Sequence, residues 1–259
     1  MELSFCLKNQ DAMAHLLSME AESIDMVLTS PPYDNIRNYN GFSWNFHGIV
    51  HELHRVLKQG GVVIWNVADQ TVKGGESGTS FRQALHFMDS GFTLHDTMIY
   101  AKNNPMPSGG DRYHQAWEYI FCFSKGKPKT FNPIEVKAKY GGGESNMKNR
   151  GTDGSLSYRK KPRNEYTKVR NVFSYSIGGG ISTKDKIAYG HPAIMPEQLA
   201  NDQIITWSNP GDTVYDPFTG AGTTAKMALS NGRSFLGSEI SKEYCDLATE
   251  RLRINGLIK

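Results

Sequence analysis

The chain has 259 residues, 38% hydrophobic and 21% charged, the mixture of an ordinary globular protein able to bury a core as one domain or as one domain carrying an insert. Collagen-like, coiled-coil and wholly disordered chains are excluded, and no run approaches the roughly 18 uninterrupted apolar residues of a membrane helix. The net charge of +3 conceals an uneven distribution: 13 Lys or Arg stand against 4 Asp or Glu in residues 125–170, so the remainder is acidic.

The opening MELSFCLKNQ lacks a basic-then-apolar export signal, so an intracellular, cytoplasmic protein without a membrane partner is expected. Cys6, Cys122 and Cys245 are odd in number and form no CxxC, which argues against a disulfide framework and a structural zinc; no metal is expected. Residues 24–29 (IDMVLT) read as a buried strand stopped by Pro31-Pro32. Residues 44–58 place Phe46, Ile49, Val50, Leu53, Val56 and Leu57 on one helical stripe, closed by Gly60-Gly61. A strand at 62–67, a helix at 79–90, and strands at 92–100 and 118–124 follow.

After the basic block the spacing predicts a helix over 196–208, a strand at 213–215, a helix at 223–230, a strand at 234–237 and a closing helix to Ile254. This alternation predicts an α/β fold, a mainly parallel sheet with helices on both faces. The division expected is a catalytic half at 1–124, a basic insertion at 125–190 and a second half of the same domain at 191–259. The insertion mixes cations with Phe131, Tyr140, Tyr158 and Tyr166 and with the glycines 141–143. That combination suits a surface gripping phosphates, with Lys160, Lys161, Arg163, Lys168 and Arg170 as candidate DNA contacts; a merely solvated loop is the plainer alternative.

Ligands of an open α/β sheet bind beyond the carboxyl ends of its strands, and two such ends carry unusual sequence. In 214–224 (VYDPFTGAGTT) a strand delivers Asp216 to a turn whose Gly220 and Gly222 allow close backbone approach. The spacing is neither GxGxxG nor a phosphate loop with Gly-Lys-Ser/Thr. The next strand ends at Glu239, near the separation of about 20 residues at which an acid meets ribose hydroxyls, so an adenosine-bearing cofactor with little phosphate fits. At 29–33 (TSPPY) the Ser30 hydroxyl and the Pro31 carbonyl can accept from both N–H groups of an exocyclic amine, favouring a more pyramidal nitrogen. Tyr33 can stack on a base taken out of the helix. As structure alone, the same residues make a stiff turn with an aromatic for the core.

These two motifs in this order resemble S-adenosylmethionine-dependent DNA amino-methyltransferases of the β arrangement, in which a TSPPY-type motif precedes the target-recognition region and an FxGxG-type motif comes last. The resemblance covers nearly all of the chain outside the basic block. It implies a Rossmann-like methyltransferase fold in which Ser30, Pro31, Pro32 and Tyr33 are catalytic. Asp216, Phe218, Gly220 and Gly222 would form the methionine end of the cofactor pocket, Glu239 would hold the ribose, and Asp11 would lie near the adenine. His191-Pro192 would pack beside the methionine, with Thr29 and Thr223 flanking the same pocket. Asn66 and Asn103 are further candidates beside the catalytic loop, whereas Tyr100, Trp117 and Tyr119 are expected in the core.

The implied reaction is direct in-line methyl transfer to an amine. A ring-carbon cytosine methyltransferase would need a thiolate, and no cysteine here follows a proline in the required way. Cytosine N4 is the expected target and adenine N6 the alternative, because Ser rather than Asp precedes Pro-Pro-Tyr. A silent nucleic-acid-binding module is the competing class. Double-stranded DNA is the expected partner, and a homodimer is compatible with the sequence.

Overall fold

The computed structural model describes residues 3–33 and 44–259. The chain forms two compact units, one of Met1–Asn132 with Asn171–Lys259 and one of Pro133–Arg170.

The first unit is built on β1 (Phe5–Asn9), α1 (Ala12–Leu17), β2 (Ile24–Thr29), α2 (Phe46–Val56) and β3 (Leu57–Val67), in chain order. Two-residue strands β4 (Thr71–Val72) and β5 (Gly75–Glu76) lead to α3 (Thr79–Asp89), β6 (Thr93–Lys102) and β7 (Trp117–Ser124). The second unit holds β8 (Glu135–Lys137), β9 (Glu144–Arg150), β10 (Leu156–Pro162) and β11 (Tyr166–Lys168). The first unit resumes with β12 (Val172–Tyr175), a 3-10 turn (Lys186–Gly190), α4 (Glu197–Trp207), β13 (Thr213–Asp216), α5 (Thr223–Ser230), β14 (Ser234–Glu239) and α6 (Lys242–Ile254).

Eight strands form one sheet in the order β1-β14-β13-β2-β3-β7-β6-β12. Only β7 runs against its neighbours, pairing antiparallel with β3 and β6. Alternation along β2 explains the two cores. Met26 and Leu28 join residues of α4, α5 and α6 on one face, and Val27 joins residues of α1, α2 and α3 on the other. The sheet is thus the mainly parallel, doubly covered one the sequence predicts.

Several elements differ from expectation. Gly60 and Gly61 do not close α2, which gives way to extended backbone at Leu57. They lie inside β3, where Gly60 has φ +77° and a Cβ on Gly61 would come within 2.8 Å of the Asp25 carbonyl. β1 and α1 escape the sequence reading because β1 buries no residue fully and α1 is only 6 residues long. The basic block has strand structure despite lacking a core rhythm: β9 pairs with β10 and β8 with β11, while β12 belongs to the main sheet beside β6. The compact unit Pro133–Arg170 is therefore narrower than the expected 125–190 insertion.

Candidate active site

β2 and β13 are parallel neighbours, with Met26 opposite Val214 and Val27 opposite Tyr215, so their carboxyl ends emerge side by side. Thr29 Oγ1, the last residue of β2, donates to Asp216 Oδ1, the last of β13, at 2.7 Å. Beyond this link lies a cavity of about 600 Å³. Ser30, Pro31, Pro32 and Tyr33 line it together with Asp216, Phe218, Gly220 and Thr223. Asp11, His191, Pro192 and Glu239 also line it, whereas Thr29 and Gly222 stand outside the lining.

The glycine turn is shaped by contacts that exclude side chains. Gly220 has φ +49°, and a Cβ there would sit 3.0 Å from His191 Nε2; Gly222 has φ +75°, and its Cβ would meet Ala248 at 2.9 Å. The His191 ring is set by Nδ1 at 2.6 Å from the Ala193 carbonyl and by edge contact with Tyr244. Glu239 holds the turn through both carboxylate oxygens: Gly220 N–H donates to Oε2 at 2.8 Å and Ser241 N–H to Oε1 at 2.9 Å. Because β1 pairs with β14 in register Asn9 to Glu239, Asp11 follows at the same edge, where its Oδ1 caps α1 by accepting from Ala14 N–H.

Burial sets the electrostatics. It pushes the Asp216 carboxyl up to about 6, against the opposing bonds from Thr29 and from the Phe218 N–H. Burial also raises Glu239, again against backbone N–H donors. Both carboxyls stay raised despite these donors, so a positive charge or further donors beside them would lower them. Cys122 and Cys245 are buried and burial raises their thiols, so neither offers a thiolate.

A second polar group lies under the Ser30 tip. Ser30 Oγ is 2.7 Å from the Tyr33 hydroxyl, which is 3.0 Å from Glu118 Oε2. Asn66 Nδ2 donates to Glu118 Oε2 at 2.7 Å and also to the Tyr33 hydroxyl. Lys102 Nζ pairs with Glu118 Oε1 at 2.7 Å. Asn66 thus lines the cavity, whereas Asn103 contacts Ser176 and lines no part of it. Glu118 and Lys102, which also line the cavity, are not among the residues expected from the sequence. The signal for Glu118 was a charge at the head of the otherwise apolar run EYIFCFS. Tyr100 is buried as expected and Tyr119 packs beside the core, but Trp117 is 39% exposed, because β7 begins at the sheet's rim.

In the second unit Lys160, Lys161, Arg163, Lys168 and Arg170 are all exposed. Strand alternation places Lys160 and Lys161 on opposite faces of the β9–β10 hairpin. The Lys160 face carries Tyr158 with Lys148 opposite it, and Leu156 with Arg150 opposite it.

The parallel sheet, the paired strand tips and the glycine turn define a Rossmann-like enzyme that brings a nucleoside cofactor against a second substrate. Residues 24–250 match the family model for DNA methylases of the N6/N4 group, and the chain belongs to that family. It is 52% identical over 236 residues, 89% of either chain, to the orphan methyltransferase M.BamHII of Bacillus amyloliquefaciens. It is 29% identical over 268 residues, 94% of this chain and 81% of the relative, to the DNA adenine methyltransferase YhdJ of Escherichia coli strain K12. Among solved structures, the cytosine-N4-specific PvuII DNA methyltransferase superposes with a TM-score of 0.69 at 21% identity, covering 98% of this chain and 91% of that one. The M1.HpyAVI–SAM complex gives 0.65 at 23%, covering 96% and 98%.

The protein is therefore a DNA methyltransferase with DNA as substrate and S-adenosylmethionine as cofactor. The residues present fit that group: a cavity of about 600 Å³, a glycine turn with no room for a Cβ, and buried Glu239 and Asp216 whose carboxylates gain from hydroxyl donors and a sulfonium charge.

Proposed function

We propose that the protein methylates cytosine N4 in double-stranded DNA, acting on a base taken out of the helix. The observation that carries the reading is the meeting of the Ser30–Tyr33 tip and the glycine turn at one cavity. Asp216, Phe218 and Gly220 hold the methionine end of the cofactor, with His191 and Pro192 beside it; Glu239 takes the ribose hydroxyls and Asp11 lies near the adenine. Bound S-adenosylmethionine supplies the electrophilic methyl. Ser30 Oγ and the Pro31 carbonyl accept the two amine N–H bonds and orient the nitrogen lone pair, so that positioning does most of the catalytic work. A neutral serine, rather than a carboxylate, at the acceptor position favours cytosine. The basic unit Pro133–Arg170 reads the target sequence.

The 29% identity to an adenine methyltransferase supports adenine N6 as the second reading. Digesting DNA exposed to the enzyme to nucleosides and weighing them tests both. N4-methylcytosine is expected; N6-methyladenine would replace the base assignment alone, and no methylated nucleoside would overturn the proposal.

A further inference from the structure

The network beneath Ser30 has a direction that its chemistry fixes. Lys102 Nζ lies 2.7 Å from Glu118 Oε1, and Asn66 Nδ2 donates to Oε2, so this carboxylate is surrounded by donors and acts as an acceptor only. The Tyr33 hydroxyl, 3.0 Å from Oε2, must therefore give its single proton to Glu118. Burial and the adjoining carboxylate push the Tyr33 phenol well above its ordinary range, so that proton stays in place. The Tyr33 oxygen also receives the Asn66 amide, which leaves it an acceptor toward Ser30. The 2.7 Å contact between Ser30 Oγ and Tyr33 is then a bond donated by serine. Its only proton committed, Ser30 turns nothing but lone pairs toward the cavity that it lines. Asn66 Oδ1, a further acceptor in this group, has no partner among the described residues.

We propose that the Ser30–Tyr33–Glu118 hydrogen-bond chain locks the serine oxygen as an acceptor and so makes the site select an exocyclic amine over a carbonyl at the same ring position. The inference rests on the methyl-transfer reading above and assigns Tyr33 and Glu118 a role in specificity that base stacking does not require. An amine offers Ser30 an N–H. The carbonyl of a deaminated base offers only lone pairs, and the serine cannot rotate its proton outward without breaking its bond to Tyr33. A site whose buried polar groups are left unpaired by the wrong substrate discriminates strongly.

The test removes the relay and keeps the ring. Tyr33→Phe preserves an aromatic face for stacking but frees the Ser30 proton to donate toward the cavity. Binding is measured without methyl donor, on duplexes holding the methylated site found by sequencing, with either the target base or its deaminated counterpart (uracil for cytosine, hypoxanthine for adenine). Comparing the same two duplexes in each protein cancels their difference in base pairing. The wild-type preference for the amine is expected to fall at least fivefold in Tyr33→Phe, with a smaller fall in Glu118→Gln and unchanged S-adenosylmethionine affinity in both. A preference within twofold of wild type in a folded Tyr33→Phe protein overturns the proposal. Should that variant not fold, the same result in Glu118→Gln overturns it. If the wild-type protein methylates no DNA at all, the proposed function fails and amine selection by the relay falls with it, whereas methylation with an unchanged preference in the variants overturns the relay alone.

Discussion

Asp216 is 3% exposed and accepts bonds from Thr29 Oγ1 and the Phe218 N–H, yet burial still lifts its carboxyl to about 6. The folded-state value lies above that of the unfolded chain, near 4. Between these values the folded protein holds a proton that the unfolded chain has lost, so this residue's contribution to stability declines as pH rises from about 4 to about 6. Above that window the buried charge costs about 3 kcal/mol. Asp216→Asn keeps an acceptor for the Phe218 N–H and removes the charge. The cofactor-free variant should melt roughly 5–10 °C higher than wild type at pH 8, while its S-adenosylmethionine affinity falls at least tenfold. Melting curves with and without cofactor check both, and a lower melting temperature would show that the charge is compensated. At this scale the sequence shows which residues stand at strand tips, because Asp216 and Glu239 follow apolar runs. It conceals the bonds among Ser30, Tyr33, Asn66 and Glu118, whose partners are separated by up to 85 positions.

Helices of the first unit are tied behind the glycine turn by one buried group of charges. Arg251 of α6, fully buried, pairs with Asp185 and Glu197 at 2.7 Å each, and Lys226 of α5 pairs with the same two carboxylates. Arg251 Nη1 also donates to the Ala221 carbonyl at 2.7 Å and to Thr223 Oγ1 at 3.0 Å, so α6 holds the turn that α5 begins from. Burial alone would raise Asp185 and Glu197, but the contacts with Arg251 and Lys226 outweigh it and hold both below the ordinary carboxylate range. Their stabilisation is present at neutral pH and is lost as acid protonates them. Arg251→Met leaves two acids to one lysine and should cost about 3–5 kcal/mol. Its acid limb should be shallower than the wild type's in unfolding curves taken from pH 7 to pH 3, with weakened cofactor binding. Equal melting temperatures would show the cluster to be energetically neutral. The β9–β10 hairpin makes a separate prediction. Neutralising Lys148 and Lys160, which share a face, should lower the salt slope of DNA binding by about two units, whereas Arg159 and Lys161 on the other face should change it little. An equal effect from both pairs would reject single-face contact. Periodicity revealed the long helices because their buried stripes repeat; β8 to β11 have almost no buried residues, so no apolar pattern marked them.

Across the whole molecule, apolar burial is confined to the first unit. Both core clusters draw only on residues outside 133–170, and so does the lining of the cavity. Within Pro133–Arg170 the large side chains Tyr140, Tyr158 and Tyr166 are each more than half exposed, and the strands are held by two antiparallel ladders. Such a unit contributes little hydrophobic stabilisation to the fold, since that term scales with area removed from water. Its composition nevertheless showed in the sequence, because 13 Lys or Arg against 4 Asp or Glu within residues 125–170 is a charge contrast that needs no periodicity to be seen. Replacing Pro133–Arg170 with a flexible Gly-Ser linker should therefore leave the melting temperature within a few degrees of wild type. S-adenosylmethionine affinity, measured by calorimetry, should stay within twofold, because every residue lining the cavity remains. Methyl transfer to DNA, measured with labelled cofactor, should fall by at least a hundredfold, since neutralising several phosphates at once is worth orders of magnitude in affinity. Loss of cofactor binding in a folded variant would mean that the basic unit supports the cavity itself, and retained sequence-specific methylation would mean that target reading resides in the first unit.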